Sequence, residues 1–259
     1  MNLRATRAIV SKTMKMSNSS KLVSLITEKH GLVKVMARGA RRPKSKFGAA
    51  LEPITLVDVI YTFRENRDIQ NLSNADIIEP FQGLKADLIL LSAASAVIEI
   101  AQTQTAVEDP KAGTFHLVVE SLNGLEHSKP ADAEKHLWRF VLHILAAAGY
   151  EPSLDSCALC GGKPKGTSVF FSFTDGGLIC SCTNPVDKTG LKVSPGSLMV
   201  MKRLVKSAAE DLPRLRIDSR QRVEIEQIIL KFLAYHSGTT RPLRSLAFLR
   251  KIEADLKRN

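Results

Sequence analysis

The hydrophobic period of this chain changes once, near residue 83, and that change limits what it can fold into. Before it, apolar and polar residues alternate in short runs; after it, apolar residues recur every three or four positions. Residues 3–10 form one expected strand, and residues 22–27 and 32–38 two more. Glu28-Lys29-His30-Gly31 joins the latter pair, with Gly31 able to supply the positive φ of a tight hairpin. Residues 51–63 are rich in β-branched side chains (Ile54, Thr55, Val57, Val59, Ile60), and residues 69–78 complete five strands.

Five short antiparallel strands fit a small closed or nearly closed barrel, and the OB-fold is the commonest such object. The helical half begins with residues 86–105, where Leu90, Leu91, Ala94, Val97, Ile98 and Ala101 share a stripe. Residues 114–125 and 131–149 follow, the last ending at Gly149 in the manner of a C-cap. Ser194-Pro195 reads as an N-cap and first helical proline for a helix to about residue 209. Residues 218–236 and 245–257 complete the set. The expected fold class is therefore α+β: an OB-fold barrel in residues 1–80, then a helical domain in 81–259. A cysteine-bearing insertion occupies residues 150–190.

Charge narrows the choice of partner. The net charge is +11, and it is uneven. Residues 1–80 hold 14 Lys/Arg against 7 Asp/Glu, residues 81–200 hold 9 against 12, and residues 201–259 hold 14 against 7. Two basic ends around a mildly acidic middle point to an anionic partner, nucleic acid or an acidic membrane surface. The apolar stretch 88–101 contains Glu99 and is too short to cross a bilayer, so a buried helix is expected there. The N-terminus lacks a signal peptide's apolar run, which implies a cytoplasmic address.

In a reducing compartment, four cysteines within 26 residues favour metal over disulfides. Cys157-Ala158-Leu159-Cys160-Gly161-Gly162 has the form of a zinc knuckle, two thiolates on one ion with glycines that let the backbone turn round it. Residues 168–173 and 178–180 read as a hairpin that returns Cys180 and Cys182 to the first pair. Four thiolates would close the coordination shell, making Zn2+ structural. One residue between Cys180 and Cys182 is a tighter chelate than structural zinc usually has, so a partial site or four metal-free thiols stays open.

Arg38-Gly39-Ala40-Arg41-Arg42-Pro43-Lys44-Ser45-Lys46-Phe47-Gly48 places five cations in nine residues after a strand. Its glycines allow close approach to a phosphate chain, its cations neutralise one, and Phe47 could stack on a base. A flexible solvated loop is the plainer alternative. Lys12, Lys15 and Lys21 are expected in the preceding loop, extending the same face. Lys202, Arg203, Arg214, Arg216, Arg241 and Arg244 make a second candidate basic face. With only 5% aromatic residues, backbone electrostatics should dominate any nucleic-acid affinity.

No catalytic residues are assigned. The phosphate-cradling, zinc-protease, nucleophile-elbow and dinucleotide patterns are all missing from the sequence. His136 and His143 lie seven apart and read as ordinary surface or core histidines rather than a site.

Taken together, these residues resemble the bacterial DNA repair protein RecO family. The resemblance is carried by Ala5-Thr6-Arg7-Ala8-Ile9-Val10, by Ser19-Ser20-Lys21-Leu22-Val23-Ser24-Leu25, and by Gly31-Leu32-Val33 leading into Ala37-Arg38-Gly39-Ala40-Arg41-Arg42. Leu51-Glu52-Pro53, Gly149-Tyr150-Glu151-Pro152, Phe171-Ser172, Gly176-Gly177-Leu178-Ile179-Cys180 and Arg241-Pro242-Leu243-Arg244-Ser245 continue it in order. It implies an OB-fold, a helical domain and a zinc-binding insertion. It implies a mediator of the RecF pathway that binds ssDNA and dsDNA, anneals complementary strands, and with RecR helps load RecA onto ssDNA coated by single-stranded-DNA-binding protein (SSB). It also implies a cytoplasmic, nucleoid-associated protein without membrane partners. By position the family's DNA contact falls on 38–46 and its zinc ligands on Cys157, Cys160 and Cys180, with Cys182 one residue early. An RNA-binding OB-fold protein of ribosome or RNA processing is the alternative, and a zinc-dependent nuclease or ligase-like enzyme a third reading, opposed by the closed thiolate set.

Overall fold

Alternation decides the first third of the chain, because in a strand every second side chain faces the same side. The computed structural model describes residues 2–105, 113–164, 169–180, 189–237 and 243–256. Five strands, β1 (Asn2–Lys15), β2 (Lys21–Thr27), β3 (Gly31–Ala37), β4 (Leu56–Phe63) and β5 (Ile69–Glu79), form a closed barrel in the order β1-β2-β3-β5-β4. β4 returns to β1, and β3 and β5 run parallel while every other pair is antiparallel. This is the OB-fold arrangement. β1 serves two neighbours, its first half pairing with β4 and its second with β2, and a register shift between Val10 and Lys12 lets it bend from one to the other. Ala8, Val10, Val23, Leu25, Val33, Val35, Val57, Val59 and Tyr61 fill the interior. Gly31, at φ 62, closes the β2–β3 hairpin as its sequence position requires.

The expected strand over 51–63 is shorter than the pattern suggested. Gly48–Leu51 is a 3₁₀ turn whose Ala50 and Leu51 enter the barrel core, and β4 starts only at Leu56. Pro53 cannot donate to a ladder, and Ile54 stands in the left-handed region at φ 57, so the chain cannot be extended there.

Two compact units divide the chain, residues 1–127 with 243–259, and residues 128–242. The barrel ends at Glu79, and the first unit also holds α1 (Gln82–Ala86), α2 (Leu88–Gln104), α3 (Thr114–Glu126) and α7 (Arg244–Leu256). The helix expected over 86–105 is α2, which starts two residues later because the Asp87 carboxylate accepts from the N–H groups of Ile89 and Leu90 and caps it. α7 packs on α2, its first N–H groups, of Arg244 and Ser245, donating to the Glu99 carboxylate. That contact explains the one charge in the apolar stretch.

The second unit contains α4 (Ala133–Ala147), a small sheet β7-β6-β8, α5 (Pro195–Lys206) and α6 (Ser219–Ser237). β6 (Val169–Ser172) and β7 (Gly177–Ile179) form the expected hairpin; β8 (Gly190–Val193) joins the other edge of β6 and was not expected. Ser194 caps α5 through its hydroxyl and Pro195 takes the first helical position. α5 stops at Lys206, short of residue 209, and Ala209–Arg214 is a 3₁₀ segment containing Pro213. No described helix is long and apolar enough to cross a membrane.

Candidate nucleic-acid interface and cysteine centre

The segment after β3 is folded rather than loose. Arg42 donates its backbone N–H to Gly39 O and Ser45 to Arg42 O, both at 3.0 Å, and Gly39 takes φ 76 to begin the turn. At the far end Phe47, only 4% exposed, inserts into the barrel core. The stacking role expected for Phe47 is thereby corrected: its ring faces the interior, with the Lys46 ammonium 5.3 Å from its centroid. Pinned at both ends, the loop leaves Arg38, Arg41, Arg42, Lys44 and Lys46 exposed. Arg41 is tied to the β1–β2 turn, its Nη1 donating to Ser17 O at 2.7 Å and its N–H to Ser19 O at 3.1 Å. Lys46 Nζ donates to Ser73 O on β5. None of the five forms an ion pair among the described residues, so their charge is available to an external anion.

A second correction concerns Lys12, Lys15 and Lys21. They do not lie in a loop: Lys12 and Lys15 are on β1 and Lys21 is on β2, because the polar residues there are the outward half of continuing strands. Lys12 is paired with Ser24, and Ser24 with Lys34. Directly opposed residues share a face, so Lys12 and Lys34 stand on one side of the sheet, about 10 Å apart across β2. Met14, Leu22 and Met36 form the next row on that side. Lys15 and Lys21 oppose each other at the end of the ladder, where like charges repel unless an anion intervenes. Lys34 was missed by sequence reasoning, although its place as the polar residue in Leu32-Val33-Lys34-Val35 marks it as outward.

The knuckle is built by backbone. Cys157 donates its N–H to Gly162 O at 2.8 Å and Gly161 returns one to Cys157 O at 2.9 Å, with Gly161 at φ 71. Ala158 N–H to Leu178 O at 2.7 Å and Leu178 N–H to Ser153 O at 2.9 Å dock it against β7. The sulfurs of Cys157, Cys160 and Cys180 lie within 4.8 Å of one another, those of Cys160 and Cys180 at 3.5 Å. Thiolates about 2.3 Å from a tetrahedral zinc stand roughly 3.8 Å apart, so the three occupy places suited to three corners of such a site. Burial pushes the Cys157 thiol up, but N–H groups of Cys180, Cys160 and Leu159 turned towards its sulfur outweigh it and bring the pKa down to about 6. A thiol held this way is largely thiolate at neutral pH, the form a metal binds. Cys182 lies outside the described residues.

The other expected cations are dispersed. Lys202 and Arg203 are on α5, Arg214 ends the 3₁₀ segment and Arg216 follows it, whereas Arg244 begins α7 in the other compact unit. Arg241 lies outside the described residues. Lys202 is paired with Asp155 at 3.0 Å, an ion it shares with Lys206, and Arg214 with Asp211 at 2.6 Å. Arg203 and Arg216 are exposed. Both histidines belong to α4. His136 is buried with Nε2 unpartnered among the described residues, and burial lowers its pKa to about 4. His143 Nε2 lies 3.1 Å from Val205 O.

A closed barrel in OB order, joined to helices that carry a cysteine-rich insertion, defines the chain as an OB-barrel protein with a cluster of three thiols that could hold a metal ion. Comparison with known proteins makes the class specific. Residues 1–81 match the family model "Recombination protein O N terminal" and residues 85–247 match "Recombination protein O C terminal". DNA repair protein RecO of Anaeromyxobacter dehalogenans is 32% identical over 248 residues, covering 94% of each chain. The proteins of the same name from Pelotomaculum thermopropionicum and Salinibacter ruber are 30% and 29% identical, each match covering 96% of this chain and 94% of the relative. This chain belongs to the RecO family of DNA repair and recombination proteins.

Proposed function

We propose that the protein is a non-enzymatic recombination mediator that holds DNA on the barrel through the 38–46 loop. The observation that carries this reading is the loop itself: five exposed cations on a backbone anchored by Phe47, Arg41 and Lys46, beside a strand row that adds Lys12 and Lys34. Fixed cations lose little entropy on meeting phosphate, and release of counterions drives the contact without reading sequence. One molecule can thus hold two polyanionic strands close enough for base pairing to do the rest, which is annealing without an active site. In this reading ssDNA and dsDNA are the ligands, RecR and SSB the partners and RecA loading the outcome; membership of a DNA repair and recombination family supports the general role. The cysteine centre would hold a structural Zn2+, with Cys157, Cys160 and Cys180 as ligands and Cys182 as the fourth. The Lys202, Arg203 and Arg216 region would serve as an auxiliary basic face, and the protein would act in the cytoplasm at the nucleoid.

The test is strand annealing and oligonucleotide binding by a variant carrying Arg41→Gln, Arg42→Gln, Lys44→Gln and Lys46→Gln. Each lost phosphate contact removes about 0.7 from the slope of log affinity against log salt on single strands, so the slope should fall by up to about 3 and annealing of naked and SSB-coated strands should slow. Unchanged affinity and slope would remove the loop from the interface, and stronger competition by RNA than by DNA of the same length would favour RNA as the ligand.

A further inference from the structure

On β4 the side chains that face outward are Asp58, Ile60 and Thr62, because Val57, Val59 and Tyr61 point into the core between them. Pairing sets Ile60 beside Ala5 of β1 and Asn74 of β5, and Asp58 beside Arg7 and Asp76. Arg7, the cation of that row, is taken by Glu28: its Nη2 and Nε donate to the carboxylate at 2.6 and 3.1 Å. Asp58 and Asp76 are left directly opposed, roughly 5 Å apart, and neither forms an ion pair among the described residues. The Asn74 amide donates to Asp76 at 2.6 Å but brings no charge. Opposed like charges cost stability unless a cation lies against them. Around the two carboxylates Leu3, Ile60 and Ile78 are 64, 39 and 43% exposed.

Across the ring the pattern is complementary. In the order β1-β2-β3-β5-β4, β4 stands opposite β2 and β3. There Lys12, Ser24 and Lys34 form one outward row and Met14, Leu22 and Met36 the next, with Lys12, Met14 and Lys34 exposed. Neither lysine forms an ion pair among the described residues. One side of the barrel thus sets carboxylates beside isoleucines, and the other sets ammonium groups beside methionines and a leucine. We propose that the β4 face docks against the β2–β3 face of a second copy of this chain. Asp58 and Asp76 meet Lys12 and Lys34, and the apolar rows pack together.

A second copy is the occupant that the barrel itself supplies, since both halves of the contact lie on it and each lacks a counter-charge. The contact is heterologous: every molecule keeps one face of each kind free, so assembly runs head to tail and does not close at two. Its regulatory consequence rests on the reading above. DNA held along Lys12 and Lys34 competes with the second copy for the same cations, so the assembly is a stored form that a single strand releases.

Sedimentation equilibrium of the full-length protein across the micromolar range, at low and at high salt, tests the contact. At low salt the average mass should climb past that of a dimer with concentration, and at high salt it should return to that of the monomer. Asp58→Lys/Asp76→Lys makes both faces basic and Lys12→Glu/Lys34→Glu makes both acidic. Each should weaken association about tenfold or more, because like charges then face each other. An equimolar mixture of the two variants should associate again, a rescue that misfolding cannot imitate. An oligo(dT) of about 10 nucleotides, a length that one barrel covers, should dissolve the wild-type assembly. A wild-type protein that is monomeric at every concentration, an assembly that stops at two, or variants that stay apart when mixed would overturn the proposal. Oligolysine bound through Asp58 and Asp76 by a monomeric wild-type protein would overturn it too, giving the face to a basic segment of another protein. Assembly that obeys the charge swap but ignores oligo(dT) would support this contact and count against the DNA reading, which keeps the two apart.

Discussion

Phe47→Ala separates the two roles that an aromatic residue beside a basic loop can play. Phe47 is 4% exposed and packs with the barrel core that includes Ala50, Leu51 and Val35. Removing a buried phenyl ring costs about 3–5 kcal/mol; the lower end applies here, because the site lies where a loop enters the barrel and neighbours can partly close the hole. With a denaturant dependence of about 2 kcal/mol per molar urea, the unfolding midpoint should fall by about 1.5 M. DNA affinity of the folded variant should fall by less than about threefold, since all five loop cations remain and electrostatics dominates. A base-stacking Phe47 would give the reverse pattern, since such contacts are worth about 1–3 kcal/mol per base. Urea unfolding by circular dichroism and oligonucleotide binding by anisotropy, on the same preparation, read both. An unchanged midpoint with a tenfold loss of affinity would refute the core-anchor assignment.

Purified protein should carry about one zinc, and Cys160→Ser should lower both zinc content and melting temperature; metal analysis that finds none, with melting insensitive to chelator, would sink the metal centre. His136 titrates near 4 in the fold because burial disfavours its cation, against an ordinary 6.5 when unfolded. Above pH 6.5 it is neutral in both states and costs nothing; as pH falls from 6.5 towards 4, stability drops by up to about 3 kcal/mol. His136→Leu should therefore match the wild type near pH 7.5 and exceed it by about 2 kcal/mol near pH 5. Parallel stability–pH curves for the two proteins would contradict this.

Much of the fold was legible because its signals are local. β2, β3, β5 and the later helices follow the period of their own side chains, and the turn at Gly31 and the cap at Ser194 follow from single residues. The knuckle was legible for the same reason, since two cysteines and two glycines in six residues specify one turn. Errors arose where a long-range contact outweighs the local pattern. β1 continues through Lys12 and Lys15 because β2 pairs with it there. β8 is four residues long and is a strand because β6 offers it an edge.

The sequence by itself determined the composition of the candidate site: an excess of cations near the first strands, few aromatics, and a cysteine pair spaced for metal. Which cations stand near one another was decided only in three dimensions. Lys12 and Lys34 are brought into one row by β2 between them, and Phe47 is withdrawn into the core. The physical reason is that charge is a property of each residue, whereas a binding surface is a property of register. Pairing between distant strands sets the register, and the cost of burying apolar side chains leaves only one choice of it.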